Sequence, residues 1–139
     1  MNLVLFSEAD FISENLISIR DARRLEHITH IHQIKLGDTL KVGLINGKIG
    51  TGEVVVFNQA EIHLSITLTQ ASPKPLPVNL VLALPRPKML KRTLQTLATL
   101  GVKKIYLINS YRVEKSYWQT PLLEEDAIRE HLLLGLEQA

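Results

Sequence analysis

Basic side chains follow directly after two apolar runs that have the composition of buried strands, residues 78–84 and 103–109. The residues concerned are Arg86 and Lys88 after the first run and Arg112 and Lys115 after the second. Guanidinium and ammonium groups bind phosphate and carboxylate oxygens, so their clustering indicates an anionic ligand. Residues 86–115 hold eight basic residues against one acidic residue. This imbalance predicts a polyanionic partner, and a solvated basic helix face would be the alternative.

The segment between the two apolar runs predicts a helix that would place these cations together. Leu90, Leu94 and Leu97 recur at helical spacing, and Gly101 stands where a glycine commonly ends a helix. A strand–helix–strand unit favours a parallel strand pair. The loops after both strands then face one edge of the sheet, which is where open α/β sheets bind ligands.

Aromatic residues accompany the cations of the second loop. They are Tyr111, Tyr117 and Trp118. Aromatic side chains among Arg and Lys can stack on unpaired bases of single-stranded RNA. Trp118 could equally pack the loop onto the sheet, and the sequence leaves both interpretations open.

The first half of the chain predicts a small β-rich domain. Strands are expected at 3–6, 39–45, 48–57 and 61–70, and Asn46-Gly47 predicts a type I′ hairpin turn with two positive-φ residues. A short helix is expected within residues 20–38. One helix with four or five antiparallel strands suggests a closed or partly open barrel, because closure removes exposed strand edges.

Three prolines within residues 71–77 predict an extended linker between two domains. We therefore expect a β-barrel over residues 1–70 and an α/β part over 78–139, which ends in a helix beginning near Leu123. Two parallel strands and two helices leave sheet edges open. We expect this second domain to be incomplete and more sequence to follow Ala139.

Composition excludes several classes of protein. The chain has no cysteine, which excludes disulfides, thiolate metal sites and a cysteine nucleophile. Its apolar runs fall short of the roughly 20 residues of a membrane helix, and its N-terminus lacks the basic region of a signal peptide. A cytoplasmic location is therefore expected. The formal charge of +2 conceals an acidic first half and a basic second half.

Three histidines lie close together in the predicted N-terminal helix, at positions 27, 30 and 32. Helical spacing would place His27 and His30 on one face, but no carboxylate or third ligand completes a metal site. A polar helix face or donors facing RNA are the favoured interpretations, and no metal is predicted. Phosphate-loop, zinc-protease and serine-hydrolase motifs are missing from the sequence.

Three groups of residues resemble motifs of the RsmE family, bacterial methyltransferases that use S-adenosylmethionine to methylate N3 of a uridine in 16S ribosomal RNA. The groups are His27-Ile28 with Gly37-Asp38, then Lys88-Met89 with Gln95 and Leu100-Gly101-Val102, and finally Ile105 with Ser110-Tyr111-Arg112. Glu137-Gln138 is similar to the start of a further family element. Departures from the family pattern occur at Gln33, Thr96, Thr99 and Tyr111.

The resemblance implies a PUA-like β-barrel that helps hold RNA, followed by the first half of an α/β SPOUT domain. The trefoil knot of that domain, which builds most of the S-adenosylmethionine pocket and of the homodimer contact, is expected to lie beyond Ala139. The whole chain is therefore similar to the N-terminal portion of the family. By itself it is expected to be inactive and to bind the cofactor weakly or not at all.

The leading hypothesis is accordingly a ribosomal RNA (uracil-N3)-methyltransferase whose partner is 16S rRNA or the small ribosomal subunit. Arg112 is the candidate catalytic residue, as a charge near the target base. The candidate RNA-binding residues are Arg23, Arg24, Lys35, Arg86, Lys88, Lys91, Arg92 and Lys115. The alternatives are a non-catalytic RNA-binding module and an interaction protein whose basic edge meets an acidic protein.

Overall fold

The computed structural model describes residues 2–32 and 34–139, which divide into two compact units. The first unit extends to Ser72 and the second begins at Pro73. The mixed α and β class expected from the sequence is confirmed. The linker expected over 71–77 is shorter than predicted, because a strand begins inside it at Leu76.

The N-terminal unit is a curled six-stranded sheet with one helix. Its elements are β1 (Val4–Phe6), β2 (Phe11–Ser13), β3 (Leu16–Ile19), α1 (Ala22–His32), β4 (Thr39–Leu44), β5 (Ile49–Phe57) and β6 (Ile62–Gln70). The strand order is β1-β4-β5-β6-β3-β2. The rings of Phe6 and Phe11 meet edge to face with centroids 5.6 Å apart, so the sheet curls until its two edge strands touch.

Alternating apolar residues of this sheet form the core of the unit. Ile62 and Leu64 on β6 are fully buried, as the period of two along that strand predicts. They pack with Val42, Val54 and Ile28 in one cluster. Since α1 contributes Ile28 to this cluster, the helix packs against the curled sheet.

Three features of the N-terminal unit differ from the prediction. β2 and β3 were not expected, and β1 pairs with β4 in parallel although an antiparallel sheet was predicted. The turn at residues 44–47 closes through a hydrogen bond from Gly47 N to Leu44 O of 2.8 Å. Only Asn46 has a positive φ there, at 62°, so the predicted type I′ turn is wrong.

The C-terminal unit contains the predicted strand–helix–strand arrangement. Its elements are β7 (Leu76–Ala83), α2 (Pro87–Thr99), β8 (Val102–Ile108), two 3-10 helices (Lys115–Gln119 and Pro121–Leu123) and α3 (Glu125–Leu136). β7 and β8 pair in parallel, which confirms the predicted orientation. Gly101 has a φ of 80° and ends α2, also as predicted.

Helices α2 and α3 approach each other closely at Gly135. A Cβ at that position would overlap the backbone oxygen of Gln95 and lie 2.8 Å from Ala98 Cβ. The hydroxyl of Thr99 donates to Gly135 O at 2.8 Å and fastens the two helices together. The departure from the family pattern at Thr99 therefore serves helix packing.

Candidate nucleic-acid interface

The ends of β7 and β8 bring two loops to one edge of the small sheet. Ala83 pairs with Ile108 at the last position of both strands, and Leu84 N donates to Ile108 O at 3.0 Å. Because the strands are parallel, the segments after them leave the sheet side by side. We call the surface formed by Arg86–Lys88 and Asn109–Lys115 the cationic edge.

The first half of the cationic edge is the beginning of α2. Arg86 is its N-cap, with a φ of −52° and a ψ of 145°, and Pro87 occupies the first helical position, where a missing N–H costs nothing. The first turn of α2 holds no acidic residue, and Lys88 is exposed there. The charges of Arg86 and Lys88 therefore add to the positive end of the helix dipole.

The second half of the edge is a turn that presents Tyr111 and Arg112 to solvent. Val113 N donates to Ser110 O at 3.0 Å, and Val113 packs against the apolar cluster of this unit. Tyr111 is fully exposed at 102%, and Arg112 is exposed beside it. An exposed tyrosine next to an arginine is suited to stacking on an unpaired base.

Trp118 combines the two interpretations that the sequence left open. Its indole Nε1 donates to Asn109 Oδ1 at 3.4 Å, which ties the 3-10 helix back to the end of β8. Its ring nevertheless remains 40% exposed. Trp118 thus supports the loop and still offers aromatic surface.

The predicted cations of the C-terminal unit have no ion-pair partner in the described part of the chain. Lys91 and Arg92 are exposed on α2, away from the buried Leu90 and Leu94. Among the described residues no carboxylate forms an ion pair with any of the predicted cations of this unit, namely Arg86, Lys88, Lys91, Arg92, Arg112 and Lys115. Uncompensated positive charge on one unit is what attracts a polyanion.

The predicted cations of the N-terminal unit have different surroundings. Arg24 is mostly buried, and its guanidinium donates to Asp10 Oδ1 at 3.0 Å, to Asp10 Oδ2 at 3.2 Å and to Leu5 O at 3.3 Å. Arg23 is half-buried and engaged within the chain, whereas Lys35 is exposed. The geometry gives Arg24 a structural role, and the RNA contacts of all three stay predictions.

The contact with Arg24 changes the pKa of Asp10. Burial raises the pKa of Asp10, but hydrogen bonds from Arg24 and Ser7 outweigh that effect and hold the pKa below its ordinary 3.8. Because the folded-state pKa is depressed, the stabilisation is complete above about pH 4 and is lost as the pH falls further.

Replacing Arg24 by methionine is expected to destabilise the N-terminal unit by about 2–4 kcal/mol, because Asp10 is left partly buried without its cation. Urea unfolding followed by circular dichroism measures the loss. The same change at Arg20, whose side chain is 68% exposed beside Glu61, serves as the control and should cost clearly less. Equal losses in the two variants would contradict the structural role of Arg24.

Sequence reasoning missed a polar cluster around Glu61 on the same unit. Glu61 Oε2 accepts from Arg20 Nε at 2.8 Å and Ser18 Oγ at 3.2 Å, and lies 3.1 Å from His63 Nε2. The hydrogen bond from Arg20 and the nearby His63 ring lower the pKa of Glu61 to about 2. Glu61 directly precedes β6 and His63 lies on it, two positions later in the alternation, but only strand pairing brings Ser18 to them.

The structure describes the side chain of only one of the three predicted histidines, His27. The side chains of His30 and His32 lie outside the described part, and so does Gln33. Among the residues whose side chains are described, no group of three or more His, Asp or Glu could hold a metal ion.

The C-terminal unit contains a groove of about 300 Å³ that is large enough to be considered as a cofactor site. It is lined by apolar side chains of α2, β8 and α3, including Leu94, Ile105 and Leu132, together with Lys103. S-adenosylmethionine carries a carboxylate, an ammonium group and an adenosine, which need several convergent polar groups. This lining, apolar apart from Lys103, does not fit that cofactor.

Comparison with known proteins finds similarity to RNA methyltransferases along the whole chain. Residues 72–139 match the family model of an RNA methyltransferase domain. The chain is 30% identical over 141 aligned positions to ribosomal RNA small subunit methyltransferase E of Treponema pallidum, covering 100% of this chain and 53% of the relative. It is 28% identical to methyltransferase E 1 of Borreliella burgdorferi, covering 99% of this chain and 57% of the relative.

A solved structure supports the fold. The methyltransferase E of Neisseria gonorrhoeae, bound to S-adenosyl methionine, matches with a TM-score of 0.69 at 16% identity, over 98% of this chain and 56% of that one. The chain thus spans about half the length of the proteins that it matches. Within its described part, no helix has the length and apolar content needed to cross a membrane.

Proposed function

We propose that this chain, which resembles the N-terminal part of the RsmE family over its whole length, provides the RNA-holding part of an enzyme that methylates ribosomal RNA. The specific reaction that we propose is methyl transfer to N3 of a uridine in 16S rRNA. Its N-terminal unit would be a PUA-like barrel and its C-terminal unit the first half of a SPOUT domain.

The observation that carries this proposal is the cationic edge. Two loops follow the carboxyl ends of parallel strands, their cations lack carboxylate partners among the described residues, and the second loop presents an exposed tyrosine. Phosphates would bind Arg86 and Lys88 at the helix start, with Lys91, Arg92 and Lys115 extending the contact. Arg112 would lie near the target base, where a positive charge stabilises deprotonated uracil.

S-adenosylmethionine is the proposed methyl donor, as the bound form of the Neisseria gonorrhoeae structure suggests. When bound, it would supply an electrophilic methyl group on sulfur. Since the groove of this chain does not fit it, the cofactor would be held by parts of the relatives that this chain does not span. The chain alone would then be inactive, and dimerisation through the knot would also need those parts.

A non-catalytic RNA-binding module is the second candidate, and the apolar lining of the groove is the observation that favours it. Calorimetry with S-adenosylmethionine distinguishes the two. The enzyme hypothesis expects little or no heat with this chain and clear binding once the chain is extended to the length of its relatives. An extended chain that binds RNA without the cofactor would support the module instead.

Binding of a 16S rRNA fragment should weaken steeply with salt, because each phosphate contact releases condensed counterions. With about four phosphates contacted, affinity should fall roughly 50-fold between about 50 and 200 mM salt. Fluorescence anisotropy of a labelled fragment measures this slope, and polyglutamate is the competitor that tests for an acidic protein partner. A flat salt response, or equal displacement by polyglutamate, would count against RNA as the ligand.

A further inference from the structure

A second cavity lies in the N-terminal unit, away from any residue given a role in the proposed reaction. Its volume is about 580 Å³, and it lies between the start of α1 and the turn that joins β5 to β6. That volume is within the range of small-molecule sites. Its lining includes Leu25, Glu26 and Thr29 from α1 and Phe57 and Gln59 from the turn.

The walls of this cavity offer an aromatic ring to a ligand. Leu25 packs against the core, whereas Phe57 at the end of β5 stays 38% exposed. Phe57 is fixed by its pairing with Ile62 on β6. A fixed, half-open ring is suited to stacking on a flat heterocycle, and such stacking is largely insensitive to sequence.

The rim of the cavity is already ordered. Asn58 Oδ1 accepts from Ala60 N at 2.8 Å and from Glu61 N at 3.0 Å, and Asn58 N donates to Glu61 O at 3.1 Å. These three bonds hold the turn that carries Gln59. A ligand would therefore meet a preorganised site and lose little binding energy to ordering the loop.

The charges of the cavity favour a base over a phosphate. Arg20 also lines it, but Glu61 neutralises that guanidinium at 2.8 Å, and Glu26 adds an exposed carboxylate. A carboxylate repels phosphate and accepts hydrogen bonds from exocyclic amino groups. Adenine, cytosine and guanine carry such a group and uracil does not.

We propose that this cavity holds an unpaired, amino-bearing nucleobase of the bound RNA, stacked on Phe57 with its amino group donated to Glu26. The base would be a neighbour of the target, since the proposed target is a uridine. The inference rests on the proposed function only in taking RNA as the ligand. It makes the N-terminal unit a reader of RNA sequence.

Binding of single-stranded decamers of A, C and U tests the selectivity. The A and C decamers should bind about 10-fold more tightly than the U decamer. Phe57→Ala should lower the affinity for the A decamer about 10-fold and change the affinity for the U decamer little. Phe57→Trp should retain binding because the ring remains. Glu26→Ala, a change at an exposed side chain that removes the acceptor, should abolish the preference for amino-bearing bases. Ile12→Ala, at a side chain 47% exposed elsewhere on this unit, is the control.

Free nucleosides separate this inference from the proposed function. Adenosine at millimolar concentration should shift the amide NMR signals of Thr29, Phe57 and Gln59, and uridine should not. These shifts should appear even if the cationic edge binds no RNA. Equal shifts with both nucleosides, no shifts with either, or unchanged decamer preference in Glu26→Ala would overturn the inference and leave the cationic edge unaffected.

Discussion

Replacing Arg86, Lys88 and Lys115 together by glutamine is expected to weaken binding of a 16S rRNA fragment about 100-fold at about 50 mM salt, because three phosphate contacts are lost. The slope of log affinity against log salt should also become shallower by about 2, since each contact to a single strand contributes about 0.7. Fluorescence anisotropy at several salt concentrations measures both effects. The three side chains are exposed or at a helix start, so the fold should be retained.

The matched control removes the same charge from the other end of the small sheet. Lys74, Lys103 and Lys104 are exposed on the C-terminal unit, and the last two lie at the start of β8, opposite the cationic edge. Their triple change to glutamine should lower affinity only through net charge, by less than about 10-fold. If both triple variants lose the same affinity and slope, the cationic edge is not the RNA site.

The strand–helix–strand unit was predictable because its signals are local. The apolar stripe of α2, the stop at Gly101 and the parallel direction of β7 and β8 all follow from periodicity and connection length. Once the strands are parallel, the positions of Arg86 and Arg112 at one edge follow from topology. The geometry of the cationic edge therefore required no knowledge of distant contacts.

The features that the sequence did not reveal depend on contacts between distant residues. β2 and β3 are three and four residues long, too short for alternation to stand out, and β3 is held by pairing with β6. The Glu61 cluster needs the same pairing, because Ser18 reaches Glu61 across 43 positions. The turn at Asn46 differs from the predicted type I′ turn in its closing hydrogen bond. The acceptor of that bond is Leu44 O, one residue earlier than the predicted turn requires.

Arg24 shows why charge alone overestimates a binding surface. It was grouped with the RNA-binding cations on its type and position, yet the 3-10 turn at Glu8–Asp10 brings a carboxylate to it. Ser7 N also donates to Asp10 Oδ2, at 2.7 Å, so Ser7 and Arg24 both hold the Asp10 carboxylate. Two acidic residues, Glu8 and Asp10, lie between the short strands, and nothing in the sequence pairs either of them with Arg24.

Gly50→Ala is expected to destabilise the N-terminal unit by roughly 3 kcal/mol or more, because the centre of the sheet cannot accept a side chain there. Gly50 lies at a register shift between β5 and β6, and a Cβ would overlap the backbone oxygen of Thr67 and lie 2.8 Å from Leu68 Cα. Both obstacles are backbone atoms, so relief would require β6 to move away from β5. Urea unfolding followed by circular dichroism measures the effect.

The neighbouring position supplies the control for this prediction. Thr51 is exposed on the same strand, and Thr51→Val keeps a β-branched side chain, so its effect should stay within about 0.5 kcal/mol. A Gly50→Ala protein as stable as the wild type would mean that β5 and β6 separate at the register shift without cost, and would contradict the prediction.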